Sequence, residues 1–212
     1  MILLAFEFST DRRSVALLRS GTVVAEAVHE GSRHTPVFEL VSRVLTGAGV
    51  DRIAVDHLAV GLGPGSYTGV RIAISAVQGW RLGRECRVAG VNSFDALARQ
   101  VADPGTTWLA VDAQRDEFAV APAAAGRRIG PIELVTRAEL QRRVDAGNRV
   151  AGPEVVQRLG VGTPLAPLAS DIGRIAVAQG EWIEPEWLVP VYLREAAFVR
   201  SGPVRSIPGL EA

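Results

Sequence analysis

An apolar run, His57–Leu62, passes into the densest glycine cluster of the chain, Gly61-Leu62-Gly63-Pro64-Gly65-Ser66-Tyr67-Thr68-Gly69. A long helical pattern follows, from about Thr68 to Leu82. Strand, glycine-rich turn and helix in direct succession belong to an α/β fold. Glycines there permit positive φ and close backbone approach, and a helix start presents N–H groups without partners. Such a junction can receive an anion. It can equally be only a tight turn, and the residues leave both open. The spacing is not the dinucleotide pattern Gly-x-Gly-x-x-Gly. The chain has 212 residues and no lysine, since all 23 basic side chains are arginine. The phosphate-binding loop ending in Gly-Lys-Ser/Thr is therefore excluded, as are Schiff-base mechanisms.

The flanking segments repeat a pattern. Ile2–Phe8, Ser14–Leu18 and Thr22–Val28 are apolar runs joined by short polar turns, an antiparallel meander. A helix follows Pro36, with Val37, Leu40, Val41, Val44 and Leu45 at helical spacing, ended by Gly47 and Gly49. Arg87–Val91 reads as a strand, and Ser93 as the cap of a helix Phe94–Val101. Asp103-Pro104-Gly105 is the one clear break. Strands at Thr107–Val111, Glu117–Pro122 and Ile129–Val135 come next, then a helix from Thr136 to about Asp145. A strand Arg149–Gly152 and a helix Ile172–Gln179 complete a shortened copy, βββαβα. The expected organisation is an N-terminal lobe, 1–103, and a reduced C-terminal lobe with an extended tail, 104–212. Trp182, Trp187 and Tyr192 make that tail apolar enough to pack on the body.

Composition narrows the function classes. The net charge is zero and no arginine run exceeds two, so direct nucleic-acid binding is not expected. A single cysteine, Cys86, excludes an internal disulfide or a cysteine-rich metal site. There is no signal peptide pattern and no apolar run of spanning length, so the cytoplasm is the expected location, without membrane. The three histidines lack ligand-type spacing, no metal site is expected, and no serine-hydrolase or peptidase pattern is present.

Two features remain as candidates. Glu7 and Asp112 hold matching places at the ends of the first strands of the two halves. With Ser9, Thr10, Gly63, Gly65 and Ser66 they outline a nucleotide site, vestigial or active, in which paired acids would hold magnesium or polarise a water. Each acid can also simply cap a turn. The second feature is the helix after the glycines. Gly69, Ala73, Ala76 and Gly79 leave one face bare, and Val70, Ile74 and Val77 make another apolar, with Ile72 beside it. A helix apolar nearly all round is covered on two sides. The expected partner interface comprises Val37, Leu40, Val41, Val44, Gly69, Val70, Ala73, Ile74, Ala76 and Val77.

Several segments carry a family likeness. The opening Leu3-Leu4-Ala5-Phe6-Glu7-Phe8-Ser9-Thr10, with Ser14-Val15-Ala16-Leu17, resembles that of the TsaB (YeaZ) family. Val60–Ile72 resembles its hallmark, Gly-x-Gly-Pro-Gly-Ser-Phe-Thr-Gly-Leu-Arg-Ile. Ser32-Arg33-His34-Thr35, Gly90-Val91-Asn92-Ser93, Val111–Glu117 and Pro190–Arg194 resemble further family segments. The resemblance implies an actin-like (ASKHA) fold of two ribonuclease-H-like lobes, the second reduced. It implies a non-catalytic scaffold in making the threonylcarbamoyladenosine modification of tRNA, with no catalytic residue of its own. The implied partners are a TsaD-like catalytic subunit and a TsaE-like ATPase, with ATP and metal used by those subunits. Alone, the chain would form a homodimer through the same helices, and tRNA would be met only in the complex. The family usually has Asp where this chain has Glu7, and Phe where it has Tyr67. The longer Glu7 would displace a metal, which disfavours the alternative of an autonomous ASKHA-type ATPase or small-molecule kinase. Arg71, Arg115 and Arg194 are expected to brace carbonyls or carboxylates.

Overall fold

A computed structural model describes residues 1–31 and 34–193. Strands β1 (Ile2–Glu7), β2 (Arg12–Arg19) and β3 (Thr22–Glu30) form the meander. Helix α1 (Val37–Ala48) and strand β4 (His57–Gly61) follow, then α2 (Tyr67–Gly83), β5 (Arg87–Val91) and α3 (Ser93–Ala98). The first sheet has the order β3-β2-β1-β4-β5, antiparallel within the meander and parallel from β1 to β5. The second half supplies β6 (Thr107–Asp112), β7 (Glu117–Ala124), β8 (Arg127–Arg128), β9 (Glu133–Thr136), α4 (Arg137–Asp145), β10 (Arg149–Gly152), α5 (Val155–Leu159), β11 (Thr163–Pro164) and α6 (Ala169–Gln179). Its sheet runs β11-β10-β6-β7-β8, with β9 also on β7. β6 and β7 pair antiparallel, whereas β6, β10 and β11 are parallel. The second sheet thus repeats the order of the first, with β8 and β9 together in the place of β3. This is the actin-like (ASKHA) fold with two ribonuclease-H-like sheets, the second shortened to a four-residue β10 and a two-residue β11.

The layering follows from two-sided burial. Along β1, Leu4 and Phe6 face α1 and α2, while Leu3 and Ala5 face α6. Side chains alternate across a strand, so a sheet covered on both faces reads as a continuous apolar run. Phe94 and Leu97 of α3 pack on Leu109, Val111 and Ala121 of the second sheet. Leu140 of α4 and Val155 of α5 cover its far face with Phe118 and Val120. α3 and α6 touch, and they lie between the two sheets.

α6 belongs to the second half by sequence but packs on β1, β2 and β4. Its first turn is anchored on the meander, where Ala169 N donates to Ser14 Oγ at 2.8 Å and Ser170 N to Glu26 Oε1 at 3.0 Å. The chain then straps the first sheet. Ile183 N donates to Val88 O, Gln78 Nε2 to Pro185 O, and Val191 N to Leu62 O. Trp182 lies edge-on to His57, at 4.6 Å between ring centres.

Three local readings change. Asn92 caps α3, its side chain accepting from Phe94 N, which frees Ser93 for another role. That helix ends at Ala98. The strand expected over Ile129–Val135 is interrupted at Gly130-Pro131, because proline has no N–H for the ladder. Helix α5 and strand β11 were not foreseen, being too short to show a period.

Candidate functional site

The glycine loop is shaped around the protein's own backbone. A Cβ at Gly65 would overlap Ser9 O, and one at Gly69 would overlap Phe8 O. Ser66 N donates to Ser9 O at 2.6 Å. The close approach that glycine permits is therefore used by the β1–β2 turn. Ser66 Oγ caps α2 by accepting from Gly69 N at 3.2 Å. The carbonyls that fill this cradle are hydrogen-bond acceptors, which suits no phosphate.

Glu7 is fully buried beneath the same loop. Its Oε1 accepts from Ser9 N at 2.6 Å, and its Oε2 accepts from Ser93 Oγ at 2.7 Å. Ser93 Oγ in turn accepts from Gly63 N at 3.0 Å. A Cβ on Gly61 would overlap Glu7 Oε2, so glycine makes the space that this long carboxylate occupies. Burial pushes the Glu7 carboxyl above its ordinary value, and the hydrogen bonds from Ser9 and Ser93 pull against that rise.

A cleft of about 1000 Å³ opens between the sheets. Ser9, Thr10, Ser66, Thr68, Asp112 and Arg158 are among its walls. Asp112 Oδ2 pairs with Arg158 Nη2, and its Oδ1 accepts from Gln114 N at 2.8 Å. The carboxyl of Glu154, also on the wall, is pushed above its ordinary value by burial, while the hydrogen bond it accepts from Asp112 N pulls against that rise. The two acids expected to share a ligand are thus separated. Asp112 faces the cleft paired to an arginine, while Glu7 faces inward to Ser93. Gly63 is buried and Gly65 is exposed at the loop. These residues do not fit a magnesium–nucleotide site of the kind that the fold family implies.

Most residues expected at a helical partner interface are buried within the chain. Leu40, Val41, Val44, Val70, Ala73, Ile74 and Val77 are buried against the first sheet, and Gly69 with them. Of the residues expected at a partner surface, only Val37 and Ala76 are partly open. The helices show a neighbouring face instead. Phe38 is 88 % exposed and Ile53 65 %. Between α1 and α2 lies an apolar groove of about 440 Å³, lined by Val37, Phe38, Ile53, Ala76, Gly79 and Trp80 among others. A second hollow continues along Phe38 toward Tyr67 and Ile72. The bare stripe of α2 begins in the core at Gly69 and surfaces at Gly79, where an added Cβ meets nothing within 4 Å. Phe38 and Trp80 lie beside the apolar stripes, and apolar residues off the stripe were the available signal.

The three arginines diverge as well. Arg71 is exposed, with Nη1 donating to Tyr67 Oη and the guanidinium 4.9 Å from the Tyr67 ring centre. Among the described residues it braces neither a carbonyl nor a carboxylate. Arg115 is exposed in the β6–β7 turn, where Gln114, Arg115 and Asp116 all have φ near +60°. Arg194, like Ser32 and Arg33, lies outside the described residues.

Known proteins agree with this architecture. The family model of TsaD, tRNA N6-adenosine threonylcarbamoyltransferase, matches residues 21–137. The tRNA threonylcarbamoyladenosine biosynthesis protein TsaB of Escherichia coli is 32% identical over 219 residues, covering 92% of this chain and 95% of that protein. YeaZ from Pseudomonas aeruginosa superposes with a TM-score of 0.72 at 32% identity, covering 91% of this chain and 99% of that one. An uncharacterised mycobacterial protein of Mycobacterium tuberculosis is 31% identical over 190 residues, 86% of this chain and 83% of its own length. With identity near one third along nearly the whole length, the hallmark loop and the paired sheets together, the chain belongs to the TsaB (YeaZ) family.

Proposed function

We propose that the chain is a non-catalytic scaffold in the biosynthesis of threonylcarbamoyladenosine in tRNA, where it binds and supports a TsaD-type transferase. The observation that carries this reading is the open apolar groove between α1 and α2. Monomeric proteins seldom leave a contiguous apolar hollow beside a nearly bare phenylalanine, and such patches mark sites of association. The engagement of Glu7 and Asp112 inside the chain supports the scaffold over an autonomous ATPase. In this reading ATP and metal belong to the transferase and to a TsaE-type ATPase, tRNA is met only in the assembled complex, and the complex works in the cytoplasm. No helix among the described residues is long and apolar enough to cross a membrane.

Reconstitution tests the reading. The chain, the TsaD protein and the TsaE protein of the same organism are mixed with unmodified tRNA, threonine, bicarbonate and ATP, together with the enzyme that makes the threonylcarbamoyl donor. Modified tRNA is then counted with each subunit omitted in turn. The chain alone is expected to give none, and its omission is expected to abolish or sharply reduce the yield. Transfer by this chain without TsaD would sink the proposal.

A further inference from the structure

The charged residues that line the α1–α2 groove are all of one sign. Arg52 and Arg84 line its main hollow, and Arg71 lines the continuation. Among the described residues no aspartate or glutamate lines either. Each guanidinium has a neutral neighbour within the chain. Arg52 lies over the Trp80 ring at 5.6 Å from its centre, Arg71 over Tyr67, and Arg84 Nε donates to Val55 O at 2.9 Å. Among the described residues none of the three has an ion-pair partner, whereas Arg81 on the same helix pairs with Glu85. All three are exposed.

We propose that the groove selects a partner with an apolar ridge flanked by carboxylates, and that Arg52, Arg71 and Arg84 make the selection. This rests on the scaffold reading and specifies the chemistry of the surface that seats there. An apolar floor supplies most of the contact energy, and rim charges set the choice of partner and the rate of encounter. A second copy of this chain is the poorer occupant. In a two-fold pair the same patch meets itself, so three unpaired cations from each copy would be brought to one rim. A partner that offers carboxylates gains two fixed hydrogen bonds per guanidinium where the geometry allows, because the fork is planar.

The test compares three variants of the full chain: the charge reversal R52E/R71E/R84E, the neutral R52Q/R71Q/R84Q, and F38D. All four substituted side chains are exposed, and an unchanged thermal midpoint shows that each variant folds. Binding to the TsaD protein of the same organism is measured by calorimetry at low and high salt, with self-association followed by sedimentation. The reversal is expected to weaken TsaD binding by roughly ten-fold or more at low salt, the neutral set by less, and salt to weaken the wild type. Wild-type self-association is expected to rise with salt, as screening relieves the like charges. F38D is expected to abolish binding at any salt. If F38D abolishes binding while the reversal leaves it unchanged, the charge selection is overturned and the groove reading stands. If F38D and the reversal both bind as the wild type does, or the wild type does not bind, both fall. A tight wild-type dimer at low salt that the reversal leaves intact also overturns the selection.

Discussion

The interlobe cleft and the α1–α2 groove have opposite characters, although α2 borders both. The cleft is polar, and the acids expected to serve it are engaged from within. The glycine loop is filled by the carbonyls of Phe8 and Ser9, Glu7 turns inward to Ser93, and Asp112 is paired to Arg158. The groove is apolar, and no described residue covers it, with Phe38 standing nearly bare. Acids already engaged within the chain are poorly placed to serve a ligand, whereas an uncovered apolar hollow retains its full driving force for association. In the proposed scaffold reading, function lies on the outer helical layer and the glycine loop has a structural role.

The contrast can be broken most violently inside α2. Ala73 is fully buried, so Ala73→Arg places an unpaired charge in the core. A loss of roughly 4 kcal/mol or more is expected, enough to unfold the chain, seen as a collapsed denaturation midpoint. This separates the inward face from the outward one, since F38D should leave that midpoint unchanged. Gly61→Ala comes next. Its methyl group would collide with Glu7 Oε2, at a cost of about 1–3 kcal/mol. Glu7→Asp shortens the carboxylate and should recover part of that loss in the double variant. Independent, additive effects in urea denaturation would contradict the brace.

Glu7→Gln tests the buried carboxyl itself. The folded-state value of Glu7 is raised by burial, so its favourable contribution is present below the unfolded value of about 4.5 and is lost as pH rises through the folded one. The amide does not titrate. The thermal midpoint of the Gln variant relative to wild type is thus expected to rise from pH 4.5 toward neutrality, and a flat difference would count against the burial. The smallest effect is expected at Gly79→Ala. The position is exposed and helical with open space around it, so alanine should stabilise by up to about 1 kcal/mol. It also narrows the groove, so partner affinity should fall slightly as stability rises.

The sequence made most of the fold legible, because apolar period and turn chemistry act locally. The meander, the strand before the glycines and both long helices of the first lobe are where their patterns put them. What escaped has a physical reason in each case. α5 and β11 are shorter than one readable period. Pro131 breaks a strand whose flanks look continuous. Asn92 outcompeted Ser93 as a cap, since Ser93 is held by Glu7 and Gly63 from other elements. The candidate site was harder to read for a related reason. Periodicity finds the face of a helix that packs, and in α1 and α2 that face belongs to the chain's own core. Leu40, Val44, Ala73 and Val77 are therefore core residues, while the open surface is marked by Phe38, Ile53 and Trp80, which lie off the stripes. Pairing Glu7 with Asp112 from their matching positions missed that a carboxylate's length decides which way it can turn.

The most direct measurement is co-purification with the TsaD protein of the same organism, using two variants that separate the regions. F38D alters the groove and leaves the cleft untouched. Asp112→Asn alters the cleft and leaves the groove untouched. The groove variant is expected to lose TsaD and to yield no modified tRNA in the reconstituted reaction, with its thermal midpoint retained, while the cleft variant retains both. The opposite pattern, with TsaD held by F38D and modification lost in Asp112→Asn, would contradict the account.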